Sequence, residues 1–261
     1  MKNHLFGLLL IFATPFLLQS QGDVGDPLFL ITMVQLEDGA ADDYVSLMEA
    51  YIDGIKDREG HSFPDWTFMA NDNVVYHSEP ITKMGDIDVL NATAVKDREF
   101  MGDQWPDLMN RWMDAVDNTH DFVIELNTDL AYYPTGDHAL DPAEGMHHRW
   151  MFFDFDIENY GAVMELAGQM KQMQTENGAA QPNHVYFNAF GGPMGQIIIH
   201  QFSRDEADME RRLALDEESM AGDNLNAWRE RVQAILGEPS AVRTGTLMPE
   251  FSQAHMATKE E

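Results

Sequence analysis

Two histidines stand at corresponding places in two similar stretches of the chain. His77 closes the run Val74-Val75-Tyr76-His77, and His200 closes Ile197-Ile198-Ile199-His200. We expect each to end the third strand of its stretch. A buried imidazole can accept a proton, bind a metal or ligate a haem iron. We therefore predict His77 and His200 as catalytic residues; the alternative is a strand-end histidine satisfied by a nearby backbone carbonyl group.

Further histidines are expected on neighbouring strands of the second stretch. Adjacent residues of a strand point to opposite faces, so only one of His147 and His148 can join a site with His184 and His200. Three imidazoles and a carboxylate, such as Asp154 or Asp156, would suit zinc, copper or iron. The spacing matches no known metal motif. The metal therefore stays unknown, and polar strand ends are the favoured interpretation.

A matched pair of arginines forms a second group of candidates. Arg111 and Arg231 each lie eight residues after the aspartate of a repeated motif, Phe100-Met101-Gly102-Asp103 and Met220-Ala221-Gly222-Asp223. Each is expected beside the apolar stripe of a helix, where it could bind an anionic ligand. The alternative is an arginine that covers the helix edge and pairs with an acid such as Asp107.

Aromatic side chains are expected to line a ligand-binding cleft. Trp66 and Tyr76 are the candidates in the first stretch, with Phe68 nearby. His184 belongs to the second stretch, where Tyr186 and Phe187 follow it. Because His184 is an additional polar group there, we expect any ligand site in the second stretch.

These residues belong to a duplicated pattern of strand, helix, strand, strand, helix and strand. The first copy runs from about Leu28 to Pro134, and the second from about Arg149 to Ser252. In the first strands, Leu28 to Val34 and Trp150 to Phe153, apolar residues occupy both odd and even positions. These strands are therefore predicted to be buried on both faces. The helices are predicted at 40–57, 103–116, 160–176 and 223–236, and the remaining strands at 65–69, 74–77, 122–126, 184–188, 196–202 and 241–247.

This βαββαβ order is the ferredoxin-like arrangement, in which one sheet face carries both helices. The other face would be bare unless it packed on the second copy. Two such sheets face to face resemble the dimeric α+β barrel superfamily, which includes antibiotic-biosynthesis-monooxygenase-like, NIPSNAP-like and haem-degrading members. The resemblance rests on topology and on the doubled Gly-Asp helix start, and it covers nearly all of the chain. It implies an α+β fold of two ferredoxin-like repeats that form an intrachain barrel. It also implies a cleft for a small apolar or aromatic ligand or a haem, and monooxygenase-like chemistry.

The amino terminus is typical of a secretory signal peptide. Lys2 and His4 precede an apolar run from Leu5 to Leu18, which is short for a transmembrane span. We predict a signal peptide at 1–22, a first repeat at 23–134, a linker at 135–147, a second repeat at 148–252 and a polar tail at 253–261. The mature protein would be periplasmic or extracellular. The chain contains no cysteine, which excludes disulfides and thiol catalysis.

The formal net charge is −29. So strong an acidic excess argues against nucleic acid and anionic membranes as partners, and self-association stays open. Two functions remain. One is a small-molecule-binding or enzymatic barrel, and the other is a non-catalytic interaction or structural protein of the cell envelope. A cleft lined by His77 or His200 and other polar groups would favour the first, and an interior filled by Met, Phe and Trp would favour the second.

Overall fold

The structure is a computed structural model that describes residues 26–61 and 64–252. The predicted signal peptide, 1–22, and the predicted polar tail, 253–261, lie outside the described residues. Eight strands form one closed antiparallel barrel in the order β1-β3-β2-β8-β5-β7-β6-β4. The strands are β1 (Leu28–Leu36), β2 (Trp66–Ala70), β3 (Val74–Ile81), β4 (Val116–Leu126), β5 (His147–Asp154), β6 (Asn183–Phe190), β7 (Gln196–Ser203) and β8 (Ala241–Leu247).

Each half contributes a four-stranded sheet with the ferredoxin-like strand order. The first half has the order β4-β1-β3-β2, and the second has β8-β5-β7-β6. The ladders β2–β8 and β4–β6 join the two sheets and close the barrel. The predicted intrachain α+β barrel is therefore confirmed.

In the described part of the chain, six α-helices lie outside this barrel. They are α1 (Ala41–Ile55), α2 (Asp86–Met101), α3 (Trp105–Ala115), α4 (Tyr160–Asn177), α5 (Glu206–Ser219) and α6 (Asp223–Ile235). Among the helices of the two described stretches, none is long and apolar enough to cross a membrane.

The structure corrects the helix count of each half. The acidic segment that follows β3 forms the helix α2, and the corresponding segment of the second half forms α5. The repeated Gly-Asp motif is therefore a junction between two helices. Gly102 and Gly222 both have positive φ, at 53° and 147°, a backbone conformation that glycine adopts without a steric penalty. In the first half one turn of 3₁₀ helix follows Gly102 before α3 begins at Trp105.

Apolar side chains fill both faces of the barrel wall. The interior cluster contains Ile31, Phe68, Tyr76, Phe152 and Ile198. The outer faces pack on the helices, in one cluster beneath α1 and α3 and in two clusters around α4 and α6. Strands buried on two faces carry apolar residues at both parities, which explains the continuous apolar runs of the first strands.

We expect Ile198→Asp to unfold the protein. Ile198 is fully buried in the barrel interior, and an unpaired buried charge costs several kcal/mol, comparable to a total stability of about 5–15 kcal/mol. Val242→Asp is the control, because Val242 lies on β8 but is 46 % exposed. Urea denaturation followed by circular dichroism measures both. Equal midpoints for the two variants would contradict the placement of Ile198 in a shared core.

Candidate functional site

The strand register brings three side chains together on the inner face of the second half. Trp150 of β5 stands directly opposite His200 of β7, and His200 stands directly opposite His184 of β6. Directly opposed residues of an antiparallel pair project to the same face of the sheet. The ring centroid of His200 is 4.5 Å from that of Trp150 and 5.5 Å from that of His184.

Two more residues join this group through the two-residue period of a strand. His148 precedes Trp150 by two positions and Tyr186 follows His184 by two, so both share the inner face. The His148 and His200 rings stack with centroids 5.0 Å apart, and the Trp150 and Tyr186 rings stack at 5.7 Å.

This group borders a cavity of about 160 Å³ inside the barrel. Both halves contribute to its wall, which is largely apolar. The lining residues are Phe29, Ile31, Trp66, Phe68, Tyr76, Ser78, Ile124, Leu126, Pro142, His148, Trp150, His184, Tyr186, His200, Phe202 and Leu247.

A chain of hydrogen bonds fixes the proton positions of two of these histidines. His148 Nε2 lies 3.1 Å from the carbonyl oxygen of Gly145, so Nε2 carries the proton and donates it. His148 Nδ1 is then an acceptor, and His200 Nε2, 2.7 Å away, donates to it. The network therefore assigns His200 a bare Nδ1 lone pair.

The unpaired nitrogen of His184 is a donor, whereas that of His200 is an acceptor. Its Nδ1 lies 3.2 Å from the hydroxyl oxygen of Tyr186. The hydroxyl proton of Tyr186 finds no other acceptor in the described part of the chain, so it is donated to Nδ1. His184 Nε2 therefore carries a proton.

Three buried nitrogen atoms of this group have no hydrogen-bond partner among the described residues. They are His200 Nδ1, His184 Nε2 and Trp150 Nε1. Buried polar atoms are nearly always paired in folded proteins, and an unpaired one is costly. The three nitrogens belong to rings that border the cavity, but the atoms themselves are buried between neighbouring side chains.

Burial keeps these histidines neutral. It lowers the pKa of His200 well below its ordinary value, and the nearby His148 and His184 lower it further. Burial also lowers the pKa of His184 to about 4. At neutral pH the site therefore contains uncharged imidazoles, which suits an apolar cavity.

His77 lies on the other face of the sheet, away from the cavity. Tyr44 Oη donates to His77 Nε2 at 2.6 Å, and His77 Nδ1 donates to Thr67 Oγ1 at 3.0 Å. Thr67 Oγ1 in turn donates to the carbonyl oxygen of Phe251 at 2.9 Å. Both ring nitrogens of His77 are thus satisfied, and burial lowers its pKa to about 4. His77 is thus paired within the fold, but to two side chains and not to the backbone carbonyl group weighed above.

The structural counterpart of His200 in the first half is Ser78. Ser78 stands opposite Ile31 and Trp66, as His200 stands opposite Trp150 and His184. The sequence alignment of His77 with His200 is therefore one residue out of register. Both histidines also lie inside their strands, and neither ends one.

The two arginines lie outside the barrel. Arg111 donates to Ser46 Oγ at 3.1 Å. Arg231 donates to Gln169 Oε1 at 2.9 Å and pairs with Glu165 at 3.1 Å, beside a surface groove between α4 and α6. The structure brings neither arginine to the cavity, and their predicted role in ligand binding stays untested.

Of the other predicted site residues, Trp66, Tyr76 and His184 line the cavity, whereas Phe187 packs outside against the α4 side. The sequence predicts no ligand-binding role for Trp150 and indicates His148 only as a possible metal ligand. A signal for both existed in the alternation of large rings along β5, where His148, Trp150 and Phe152 share one parity.

Within residues 26–61 and 64–252, no group of three or more His, Asp or Glu residues is arranged to hold a metal ion. His148 and His200 use facing nitrogens to bond each other. Asp154, considered as a carboxylate ligand, accepts from Gln196 Nε2 at 2.7 Å.

No family model and no curated protein matches this sequence. A solved structure shares its fold, and others are similar to it in part. An anthrone oxidase-like protein matches with a TM-score of 0.53 and 13 % identity, covering 85 % of this chain and 92 % of its own. A chlorite dismutase variant from Candidatus Nitrospira defluvii matches with a TM-score of 0.49 and 9 % identity, covering 88 % and 94 %. A NIPSNAP family protein from Agrobacterium tumefaciens covers 40 % of this chain and 90 % of its own, with a TM-score of 0.28 and 17 % identity.

The chain thus has the dimeric α+β barrel fold, as the sequence resemblance implied. The two histidines predicted as possible haem ligands are not placed to hold a haem group. Both ring nitrogens of His77 are occupied. His200 borders a cavity of about 160 Å³, whereas drug-sized ligands, which are smaller than haem, occupy pockets of about 300–1,000 Å³.

We expect the buried histidines to destabilise the protein in acid. The folded-state pKa of His77 and of His184 is about 4, against 6.5 for a free histidine. The unfolded chain therefore binds more protons as the pH falls below 6.5, and stability is lost down to about pH 4. The loss is about 3 kcal/mol for each histidine.

His77→Gln isolates one of these contributions, because the amide can accept from Tyr44 and donate to Thr67 but does not titrate. Urea denaturation at several pH values between 6.5 and 4 measures the free energy of unfolding. The free energy of unfolding should change less steeply with pH in the variant than in the parent protein. Identical slopes would contradict a buried neutral His77.

Proposed function

We propose that this protein binds a small aromatic molecule inside its barrel. The observation that carries the proposal is an apolar cavity bordered by the rings of Trp150, His184 and His200, each of which has one buried nitrogen without a partner among the described residues. Small-molecule sites typically combine an apolar lining with a few convergent polar groups. Packing alone would favour apolar residues at the positions of His184 and His200.

The size and the shape of the cavity favour one aromatic ring. An apolar protein cavity of about 150 Å³ is large enough to bind benzene, and this cavity measures about 160 Å³. Flat rings already stack along its wall. Trp150 lies nearly parallel to Tyr76, with an angle of 3° and centroids 6.1 Å apart. A planar ligand can continue such a stack.

A catalytic role would use His200 as a base. Its neutral imidazole has an unpaired Nδ1 lone pair that could take a proton, although burial lowers its pKa and makes it a weak base. The superfamily resemblance suggests oxygenation without a cofactor as the reaction that such a proton transfer would begin. Measuring dioxygen consumption in the presence of a bound ligand tests this step. Ligand binding without dioxygen consumption would contradict the oxygenation and would be the behaviour of a binding protein.

The alternative, a non-catalytic envelope protein, predicts a barrel filled by side chains. The cavity beside His200 and His184 favours ligand binding over that alternative. The absorption spectrum of protein isolated from its native host provides a separate check on the ligand. A haem band in the visible range would contradict a small aromatic occupant.

We expect toluene to bind in the cavity and to raise the Tm by several degrees, because a ligand at about 100 times its Kd stabilises the folded state by about 2.7 kcal/mol. Calorimetric titration and thermal unfolding measure the effect. Ser78→Phe is the control, since the added ring would occupy the cavity. Equal toluene affinity for the parent protein and Ser78→Phe, or no binding to either, would contradict the proposal.

We also propose that the protein is exported. The charged start and the apolar run from Leu5 to Leu18 support this. Expression of the full chain in a Gram-negative host should yield a periplasmic protein that begins close to residue 23. Amino-terminal sequencing of the periplasmic fraction measures this. A cytoplasmic product that retains Lys2 and His4 would contradict export.

A further inference from the structure

The barrel contains a second cavity, of about 160 Å³, at the end away from the linker. Its position follows from the order of the lining residues along the strands. On β1, Ile31 lines the first cavity and Met33 the second, and on β8 the corresponding residues are Leu247 and Ala241. Tyr76 borders both cavities. The second cavity is therefore a separate compartment on the other side of the Tyr76 ring.

Arg243 supplies a charged group to the wall of the second cavity. It stands directly opposite Trp150 of β5, so its side chain projects to the inner face of the barrel. Its guanidinium carbon lies 5.7 Å from the ring centroids of both Tyr76 and Phe152. Because these two rings also line the second cavity, the guanidinium group is the part of Arg243 that borders it.

One nitrogen of this guanidinium group is accessible. Nε donates to Asp72 Oδ2 at 3.0 Å, and Nη1 donates to Tyr76 Oη at 2.6 Å. Nη2 has no hydrogen-bond partner in the described part of the chain, and it is not among the buried unpaired atoms there. The Arg243 side chain is 21 % exposed. Nη2 is therefore a donor that a ligand can reach, and its charge is permanent, because arginine does not lose its proton in proteins.

The charge of this cavity is opposite to that of the whole protein. The chain has 45 Asp and Glu residues against 16 Lys and Arg residues. Among the described residues that line the second cavity, however, none is acidic, whereas Arg243 is cationic. Asp72 pairs with Nε but is 51 % exposed, and ion pairs with exposed partners are weak. A cleft lined by one sign of charge attracts ligands of the other sign, so the cavity favours an anion.

We propose that the second cavity binds a small aromatic carboxylate. One carboxylate oxygen accepts a charge-assisted hydrogen bond from Arg243 Nη2. The ring packs against the apolar part of the wall, which includes Met33, Phe122 and Phe152. A cavity of about 150 Å³ is large enough for one benzene ring. An inorganic anion would match the charge but would leave these apolar side chains uncovered.

This site goes beyond the proposed function, because no charged Lys, Arg, Asp or Glu side chain is among the described residues that line the first cavity. Occupancy of the second cavity does not require a ligand in the first. Tests on the two cavities therefore have separate outcomes.

Calorimetric titration at pH 7 with benzoate and with benzamide, which have similar shapes, tests the charge preference. The parent protein should bind benzoate at least about tenfold more tightly than benzamide. In Arg243→Gln this preference should disappear. Arg229→Gln removes the same charge from the outside of the protein, where Arg229 pairs with Glu217, and should keep the preference.

Three further variants test the place of binding and the sign of the effect. Ala241→Phe should abolish benzoate binding, because the added ring occupies the second cavity. Ser78→Phe, which fills the first cavity, should leave benzoate affinity unchanged. Asp72→Asn should raise benzoate affinity about threefold or more, because the amide oxygen still accepts from Arg243 Nε while the competing negative charge is gone.

Several results would overturn the proposal. Equal affinities for benzoate and benzamide in the parent protein would do so, and so would a preference for benzoate that persists in folded Arg243→Gln. Loss of benzoate binding in Ser78→Phe but not in Ala241→Phe would place the carboxylate in the first cavity. Acetate binding as tight as benzoate binding would show an anion site without an aromatic pocket. If circular dichroism shows that Arg243→Gln does not fold, Asp72→Asn decides, and an affinity for benzoate that is unchanged or weaker would contradict the site.

Discussion

The register of β5, β7 and β6 is the constraint on which the candidate site depends. In this register Trp150, His200 and His184 stand in one row across three strands, on the inner face of the barrel. A shift of one residue in either ladder would turn the row outward and would place polar rings against the helices. The apolar neighbours in the same strands hold the register, because Phe152, Ile198 and Tyr186 form the next row of the interior.

Closure of the barrel is the second requirement. Each ferredoxin-like sheet has one face covered by helices and one face that needs a partner, and the duplicated chain supplies that partner itself. The enclosed space then has walls of two kinds. The first half contributes mainly apolar side chains such as Phe29 and Phe68, and the second half contributes the three histidines. The two halves together thus form an apolar compartment, and the second half supplies its histidines.

Much of this architecture could be predicted from the sequence. The duplication, the strands and the α+β barrel followed from apolar periodicity and from the bare sheet face. The helices α2 and α5 were not predicted. They bury few apolar side chains, so α2 carries little of the apolar periodicity by which helices are recognised; only Asp97 and Met101 of its residues are buried. Tertiary pairs such as Arg58 with Asp97 hold α2 in place, and such pairs have no signal in a single sequence.

The site was harder to predict than the fold because it depends on which face of its strand each side chain occupies. His77 and His200 occupy similar runs of residues, yet a difference of one residue in register sends one ring to helix α1 and the other into the cavity. The hydrogen bond from His148 to Gly145 joins a strand to the linker, and no local pattern indicates it. The prediction that the second half would contain the polar site rested on His184, which does line the cavity.

The barrel contains an apolar cavity bordered by rings whose buried nitrogens are unpaired among the described residues. Crystals exposed to xenon under pressure test it directly, because xenon enters dry apolar cavities and scatters strongly. The account predicts a xenon site inside the barrel, in contact with Phe68, Trp150 and Leu126. A tightly packed interior that takes up no xenon, with the three ring nitrogens paired to side chains, would contradict it.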